Sequence, residues 1–320
     1  MKAIRIHNYG GPEVLKYEDA PRPKPQAGEV LVRVHAAGVN PIDWKVREGH
    51  MKDFWPHKFP LIPGWDLSGV VEELGKGVSR FKIGDELYCC PDPTRNGAYA
   101  DYIVVRESQL APKPKSLHHI RAATVPLAAL TAWQSLFDTA QLQPGQRVLI
   151  HVGSGGVGHL AVQLAKWKGA YVFATASTKN QDLLHKLGVD EPIDYTQQRF
   201  EDVTRNIDIV LDTIGGETQK RSWSVLKKGG VLVSLVQPPS EEKAKELGVR
   251  AVFVGGQPNG AQLAEIAKII DSGKLAPIID RILPLSEARR AHELSRSGHT
   301  RGKIALRVIN ADGTLERKQS

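Results

Sequence analysis

Gly153, Gly155 and Gly158 stand in a G-x-G-x-x-G spacing within the run His151-Val-Gly-Ser-Gly-Gly-Val-Gly158. An apolar stretch, Arg147 to Val152, precedes the run and an amphipathic one follows, so it reads as a strand-to-helix turn able to hold a diphosphate. One glycine would make the tight turn, the next would let backbone approach the pyrophosphate, and the last would let helix and strand pack closely. The run Gly153, Ser154, Gly155, Gly156, Val157 and Gly158 would then point amides at the anion, where the helix dipole adds favourable potential. About 20 residues on, where an acid would bind the ribose hydroxyls of an NAD-type cofactor, the sequence reads Ala174-Thr-Ala-Ser-Thr-Lys179. Ser177, Thr178 and Lys179 offer two hydroxyls and an ammonium to a 2′-phosphate, which predicts NADPH. The same hydroxyls would also serve as caps of the next helix. No tyrosine has a lysine four residues on, which disfavours the Tyr-x-x-x-Lys chemistry of short-chain reductases.

A turn of this kind needs a parallel sheet around it. After about residue 120, strand-length apolar stretches at Arg147 to Val152, Tyr171 to Thr175, Ile207 to Thr213, Val231 to Val236 and Arg250 to Val254 alternate with helix-length amphipathic ones. Val157, Leu160, Ala161, Leu164 and Ala165 share one helical face, and Gly169 follows as a stop. Before about Arg106 the pattern is different: short alternating runs such as Glu29 to His35, Leu67 to Leu74 and Ala98 to Val105, broken by Gly and Pro, predict antiparallel strands. Pro21-Arg-Pro-Lys-Pro25 reads as a connector, since its prolines cannot supply backbone donors. The tail from about Gly260 carries a helix (Ala261 to Ile270), a strand (Ile278 to Leu283), a helix from near Ser286 and a last strand (Lys303 to Val308). It would either finish the parallel sheet or rejoin the first domain.

The chain has 320 residues, 41% hydrophobic and 24% charged, which is globular composition and sets aside disorder and a peptide-like scaffold. No apolar run reaches the roughly 18 residues that span a bilayer, and the opening alternates charged with apolar residues, so a cytoplasmic protein is predicted. Cys89 and Cys90 are the only cysteines; as sequence neighbours they cannot build a disulfide framework, and they read as small buried apolar residues. The net charge of +8 is dispersed along the chain, which predicts a solvated basic surface and no nucleic-acid site.

Several stretches in order, Gly38-Val-Asn-Pro-Ile-Asp-Trp-Lys45, Pro63-Gly-Trp-Asp-Leu-Ser-Gly69, Gly97-Ala-Tyr-Ala-Asp-Tyr102, Leu130-Thr-Ala-Trp133, the glycine turn, Asp208 to Gly216 and Gly298-His-Thr-Arg-Gly-Lys303, resemble the medium-chain dehydrogenase/reductase superfamily. Within it they are most similar to the zinc-independent quinone oxidoreductase branch, with zeta-crystallin-like proteins and alkenal or enone reductases. The resemblance implies an α/β architecture: a mainly antiparallel, barrel-like (GroES-like) catalytic domain over 1–121, a Rossmann-type doubly wound NADP-binding domain over 122–258, and a return segment, 259–320, completing the first. It implies an oxidoreductase that passes hydride from NADPH to a quinone or an α,β-unsaturated carbonyl. Alternatives are an enoyl-thioester reductase, whose loop tyrosine is missing between residues 40 and 65, and a zeta-crystallin-like NADPH- or RNA-binding protein with little turnover.

Zinc-dependent relatives place a cysteine where this sequence has Asn40 and a His-Glu pair where it has Trp65-Asp66, so the resemblance implies no metal. Charge that grows on the substrate oxygen must then meet fixed donors. The resemblance puts Asn40 beside the nicotinamide as a donor to substrate or ribose. Lys45 would stabilise the oxyanion or relay a proton, with Asp43 orienting it; alternatively the two form a loop-bracing surface pair. Thr131 matches a position near the nicotinamide, Tyr195 one near the 2′-phosphate, and Val236 and Val254 strand ends that offer backbone to the carboxamide. Met51, Phe54, Trp55 and Trp65 either line a pocket for a flat substrate or belong to the core. The resemblance implies a homodimer that pairs cofactor domains edge to edge, for which the apolar Val249 to Val254 stretch is a suitable edge.

Overall fold

Alternation in the first third of the chain produces strands β1 (Lys2–Arg5), β2 (Lys16–Asp19), β3 (Glu29–Val39), β4 (Leu67–Leu74), β5 (Glu86–Cys89), β6 (Tyr102–Arg106) and β7 (Leu110–Pro112). The continuous apolar stretches give β8 (Arg147–Ile150), β9 (Tyr171–Ala176), β10 (Glu191–Asp194), β11 (Ile207–Asp212), β12 (Leu226–Ser234) and β13 (Arg250–Phe253). The tail adds β14 (Ile279–Pro284) and β15 (Lys303–Arg307). The computed structural model describes residues 1–309. They form two units, one of Met1–Leu127, Gln257–Gly273 and the described residues from Pro277 onward, the other of Ala128–Gly256 with Lys274–Ala276.

In the first unit β14-β15-β3-β4-β5-β7 form one sheet, with β6 also paired to β3, while β1 and β2 make a separate hairpin. The tail rejoins this unit. β15 runs antiparallel to β3 in the register Ile304↔Val39 and Leu306↔Ala37. Its Ile304, Ala305 and Leu306 are buried on both faces, so they need a sheet interior and not an edge.

The second unit is a six-stranded sheet in the order β10-β9-β8-β11-β12-β13, parallel throughout. Leu149, Phe173, Val210 and Leu232 from four strands share a core with Phe200 and Trp223, each contributing roughly 1.5–3 kcal/mol by leaving water. The helix Gly158–Trp167 buries Leu160, Ala161, Leu164 and Ala165, the face expected from the sequence. β10 carried no signal because only Ile193 of Glu191-Pro-Ile-Asp194 is buried, and its proline is tolerated at a sheet edge.

Candidate functional site

The glycine turn begins where β8 ends, and its sharp bend falls on Val152, which sits at φ +55°. This corrects the expectation that a glycine bends the chain. None of Gly153, Gly155, Gly156 or Gly158 takes a positive φ, whereas a β-branched residue does so only when its surroundings impose it. Thr175 Oγ1 on β9 accepts the Val152 N–H at 3.1 Å and lies 3.3 Å from His151 Nδ1. Ser222 Oγ donates to the Thr218 carbonyl, so it accepts from His151 Nε2, 2.9 Å away. Burial lowers the His151 pKa to about 4, which keeps the imidazole neutral and suited to donate on one side and accept on the other.

The glycines are needed for room. A Cβ on Gly158 would lie 2.0 Å from the Val152 carbonyl oxygen, so only glycine lets the helix start directly on the bend. The amides of His159, Leu160 and Gly155 already donate to Gly155 O, Val157 O and Val152 O, so those of Ser154, Gly156, Val157 and Gly158 are the ones a glycine-rich turn can offer to an anion. The residues present fit a dinucleotide diphosphate.

At the end of β9, Ser177 makes no side-chain cap of the following turn; its Oγ accepts from Asn180 Nδ2 at 3.2 Å. Thr178 Oγ1 lies 2.9 Å from Thr196 Oγ1, and Lys179 is exposed. The Tyr195 N–H donates to Ala176 O at 3.2 Å, which brings Tyr195, 57% exposed, to the same strand end. Sequence reasoning missed Asp194, which arrives there because β10 pairs Asp194 with Ala176. Hydroxyls of Thr178 and Thr196 hold its carboxyl below the usual range. Val236 follows β12 and Val254 follows β13, where the Val254 N–H donates to Ser234 O at 2.9 Å. In a parallel sheet these ends lie along the same edge as the glycine turn. Thr131 is buried on the helix Pro126–Trp133.

The first unit holds a second constellation, in which Asp43, Asp66 and Tyr99 are fully buried and Asn40 and Lys303 nearly so. Asn40 precedes the helix Pro41–Arg47, and its backbone N–H donates to Asp43 Oδ2 at 2.8 Å, closing the first turn. Tyr99 OH donates to the same oxygen at 2.7 Å, and Asp43 Oδ1 has no partner. The Asn40 side chain donates from Nδ2 to Asp66 Oδ2 at 2.8 Å and accepts at Oδ1 from Lys303 Nζ, which also reaches Asp66 Oδ2 at 3.3 Å. Asp66 Oδ1 accepts the Leu127 N–H at 2.6 Å. Burial pushes the Asp43 pKa up to about 7, against the pull of the Asn40 and Tyr99 hydrogen bonds. Burial also raises Asp66, and the Lys303 ammonium opposes it.

One expectation needs correction here. Asp43 does not orient Lys45: its carboxylate turns inward to Asn40 and Tyr99, while Lys45 Nζ lies 5.8 Å over the Trp44 ring. Of the two alternatives for Trp65 the structure shows core packing, with Ile6, Val46 and Leu61 and against Met51 and Trp55, whereas Phe54 is 75% exposed. Asp66, Tyr99 and Lys303 were the residues missed. Each stands inside a stretch that carried the family resemblance, and a lysine opening the otherwise apolar Lys303-Ile-Ala-Leu was the available signal.

Residues 26–115 match the alcohol dehydrogenase GroES-like domain, and residues 187–306 match the family described as zinc-binding dehydrogenase. The chain is 37% identical to the NADPH-dependent alkenal/one oxidoreductase, chloroplastic, of Arabidopsis thaliana, over 97% of this chain and 80% of the relative. It is 34% identical to the NAD(P)H oxidoreductase RTN4IP1, mitochondrial, of Danio rerio, over 97% and 92%. The solved quinone oxidoreductase from Coxiella burnetii superposes with a TM-score of 0.88 at 38% identity, covering 96% of this chain and 99% of that one. The chain belongs to the medium-chain dehydrogenase/reductase superfamily, in its quinone oxidoreductase and alkenal/enone reductase branch. As an oxidoreductase of this superfamily it uses a nicotinamide cofactor.

In this member the neighbouring Cys89 and Cys90 are free, buried, and shifted by burial well above the usual thiol range, which makes them packing residues and not nucleophiles. Among the described residues no group of three His, Cys, Asp or Glu side chains is placed to hold a metal, and no helix is long and apolar enough to cross a membrane.

Proposed function

We propose that this chain is an NADPH-dependent, zinc-independent reductase of quinones or α,β-unsaturated carbonyls, cytoplasmic and homodimeric. The observation that carries the reading is the compact turn from Val152 to Gly158, followed at the end of β9 by Ser177, Thr178 and Lys179, with no acid on β9 itself and Asp194 reaching the same end from β10. Similarity to an alkenal/one oxidoreductase and a quinone oxidoreductase supports the substrate class. NADPH supplies hydride when bound. The glycine-rich turn from Gly153 to Gly158 binds its diphosphate, and Ser177, Thr178, Lys179 and Tyr195 bind its 2′-phosphate. Thr131 and the backbone at Val236 and Val254 are assigned to the nicotinamide end.

Asn40 offers an amide hydrogen to the substrate carbonyl, where negative charge develops as hydride arrives. Zinc-independence is supported by the donor set itself: the Lys303 ammonium already lies against Asn40 and Asp66, so a divalent cation at those residues would have to displace a buried positive charge. The homodimer reading rests on β13, an edge strand with exposed Phe253. The cytoplasmic reading rests on the two free thiols.

A panel of quinones, alkenals and enones assayed with NADPH and NADH in parallel tests the function. Oxidation of NADPH by at least one class, unaffected by a chelator, is expected. Saturable cofactor binding with no oxidation across the panel would overturn the reductase reading, and equal use of NADH would overturn the cofactor preference.

A further inference from the structure

We propose that Lys303 is a positioning residue. Its ammonium, held between Asn40 Oδ1 and Asp66 Oδ2, fixes which way the Asn40 amide points and leaves one Nδ2 hydrogen for the substrate oxygen. The inference deepens the proposed function and rests on its reading of Asn40 as the carbonyl donor.

The orientation follows from chemistry. An ammonium only donates and an ionised carboxylate only accepts, whereas a side-chain amide has two donor hydrogens and an acceptor oxygen. Lys303 therefore selects the amide oxygen and Asp66 the amide nitrogen. Turning the amide over would set NH₂ against NH₃⁺ and oxygen against carboxylate, where Lys303 is 3% exposed and Asp66 fully buried. Water cannot relieve such contacts there.

One Nδ2 hydrogen goes to Asp66, and the other has no partner among the described residues. Donation by the ammonium to Oδ1 polarises the amide and strengthens that remaining N–H as a donor. Asp43 and Tyr99 act elsewhere, since they hold the backbone N–H of Asn40 and not its amide.

Three distant chain positions converge on this contact: Asn40 after β3, Asp66 before β4 and Lys303 at the start of β15. A buried ion pair is weak evidence for stability, because well-packed apolar residues of similar volume serve as well or better. Its purpose here is the geometry of Asn40.

Two variants test this in the full-length protein. Lys303→Met removes the ammonium, and Lys303→Met with Asp66→Asn removes both charges, so that no lone carboxylate is left to prevent folding. In ¹⁵N–¹H spectra the side-chain pair of Asn40, assigned by its loss in Asn40→Ala, is expected to be well dispersed and slow to exchange in the wild type. Both variants are expected to speed its exchange by at least about tenfold. With an enone and NADPH, both are expected to lower kcat by about 10- to 100-fold while NADPH affinity stays within about twofold. In the Asn40→Ala background the same changes are expected to lower kcat by less than about threefold, because the group they position is gone.

Unchanged Asn40 amide signals in a folded variant would overturn the clamp. So would a loss of kcat that is as large without Asn40 as with it, since that behaviour belongs to general packing. A wild-type protein that oxidises NADPH with no quinone or enone would instead defeat the proposed function, and the amide spectra alone would then decide for or against Lys303.

Discussion

Asp43→Asn is expected to remove a large part of the pH dependence of this protein's stability. The Asp43 carboxyl ionises near 3.8 when exposed, as in an unfolded chain, and near 7 in the fully buried site. Between those values the folded protein keeps a proton that the unfolded chain has released, so stability falls as pH rises through the window, at about 1.4 kcal/mol per pH unit. From about pH 5 to about pH 8 the loss at this one group comes to about 2.5 kcal/mol. Asparagine keeps an oxygen to accept from the Asn40 N–H and the Tyr99 hydroxyl but has no proton to lose. Its NH₂ takes the place of Oδ1, which has no partner, so the variant starts about 1–3 kcal/mol lower at the acid end. Urea denaturation of both proteins at several pH values, followed by tryptophan fluorescence, measures the difference between them. The other titrating groups are common to both and, apart from those coupled to Asp43, chiefly Asp66 and Lys303, they cancel. The difference should move by about 2.5 kcal/mol in favour of the variant between about pH 5 and about pH 8. Parallel curves would refute the assignment of a buried, proton-holding carboxyl to Asp43.

Gly158→Ala puts a methyl group 2.0 Å from the Val152 carbonyl; the helix must shift off the turn, and a fluorescence titration with NADPH should show no saturable binding. Thr175→Val keeps the shape but removes the acceptor of the Val152 N–H. Its unfolding free energy is expected to drop by about 1–3 kcal/mol, with NADPH bound about tenfold more weakly, and undiminished affinity would detach the strained turn from cofactor binding. Lys179→Glu is expected to weaken NADPH by about tenfold or more and to leave NADH unchanged or better bound; equal losses for both cofactors in a calorimetric titration would remove the 2′-phosphate site from this loop.

Much of this was legible in the linear sequence. The parallel sheet could be read because each of its central strands is a short apolar run next to a helix-length amphipathic one, and both patterns are local. The glycine turn could be read for the same reason. Its bend could not: residue types suggested glycine, and only the backbone shows Val152 carrying the left-handed φ while Thr175 on β9 holds its amide. Asp43 and Lys45 looked like a pair because they are two residues apart, yet on a helix neighbours at that spacing do not face each other. Asp43 turns to Tyr99, and Lys45 does not follow.

By itself the sequence determined that a glycine-rich strand-to-helix turn is followed by hydroxyls and an ammonium in place of an acid, since those properties belong to contiguous residues. What only the tertiary structure decided was the company Asn40 keeps. The tail was equally compatible with either sheet, and its pairing in register with β3 brings Lys303 across more than half the chain to an amide it could not otherwise reach. Burial then does what sequence cannot record: with water excluded, two acids, one base and one amide must satisfy each other, and that demand fixes protonation and orientation together.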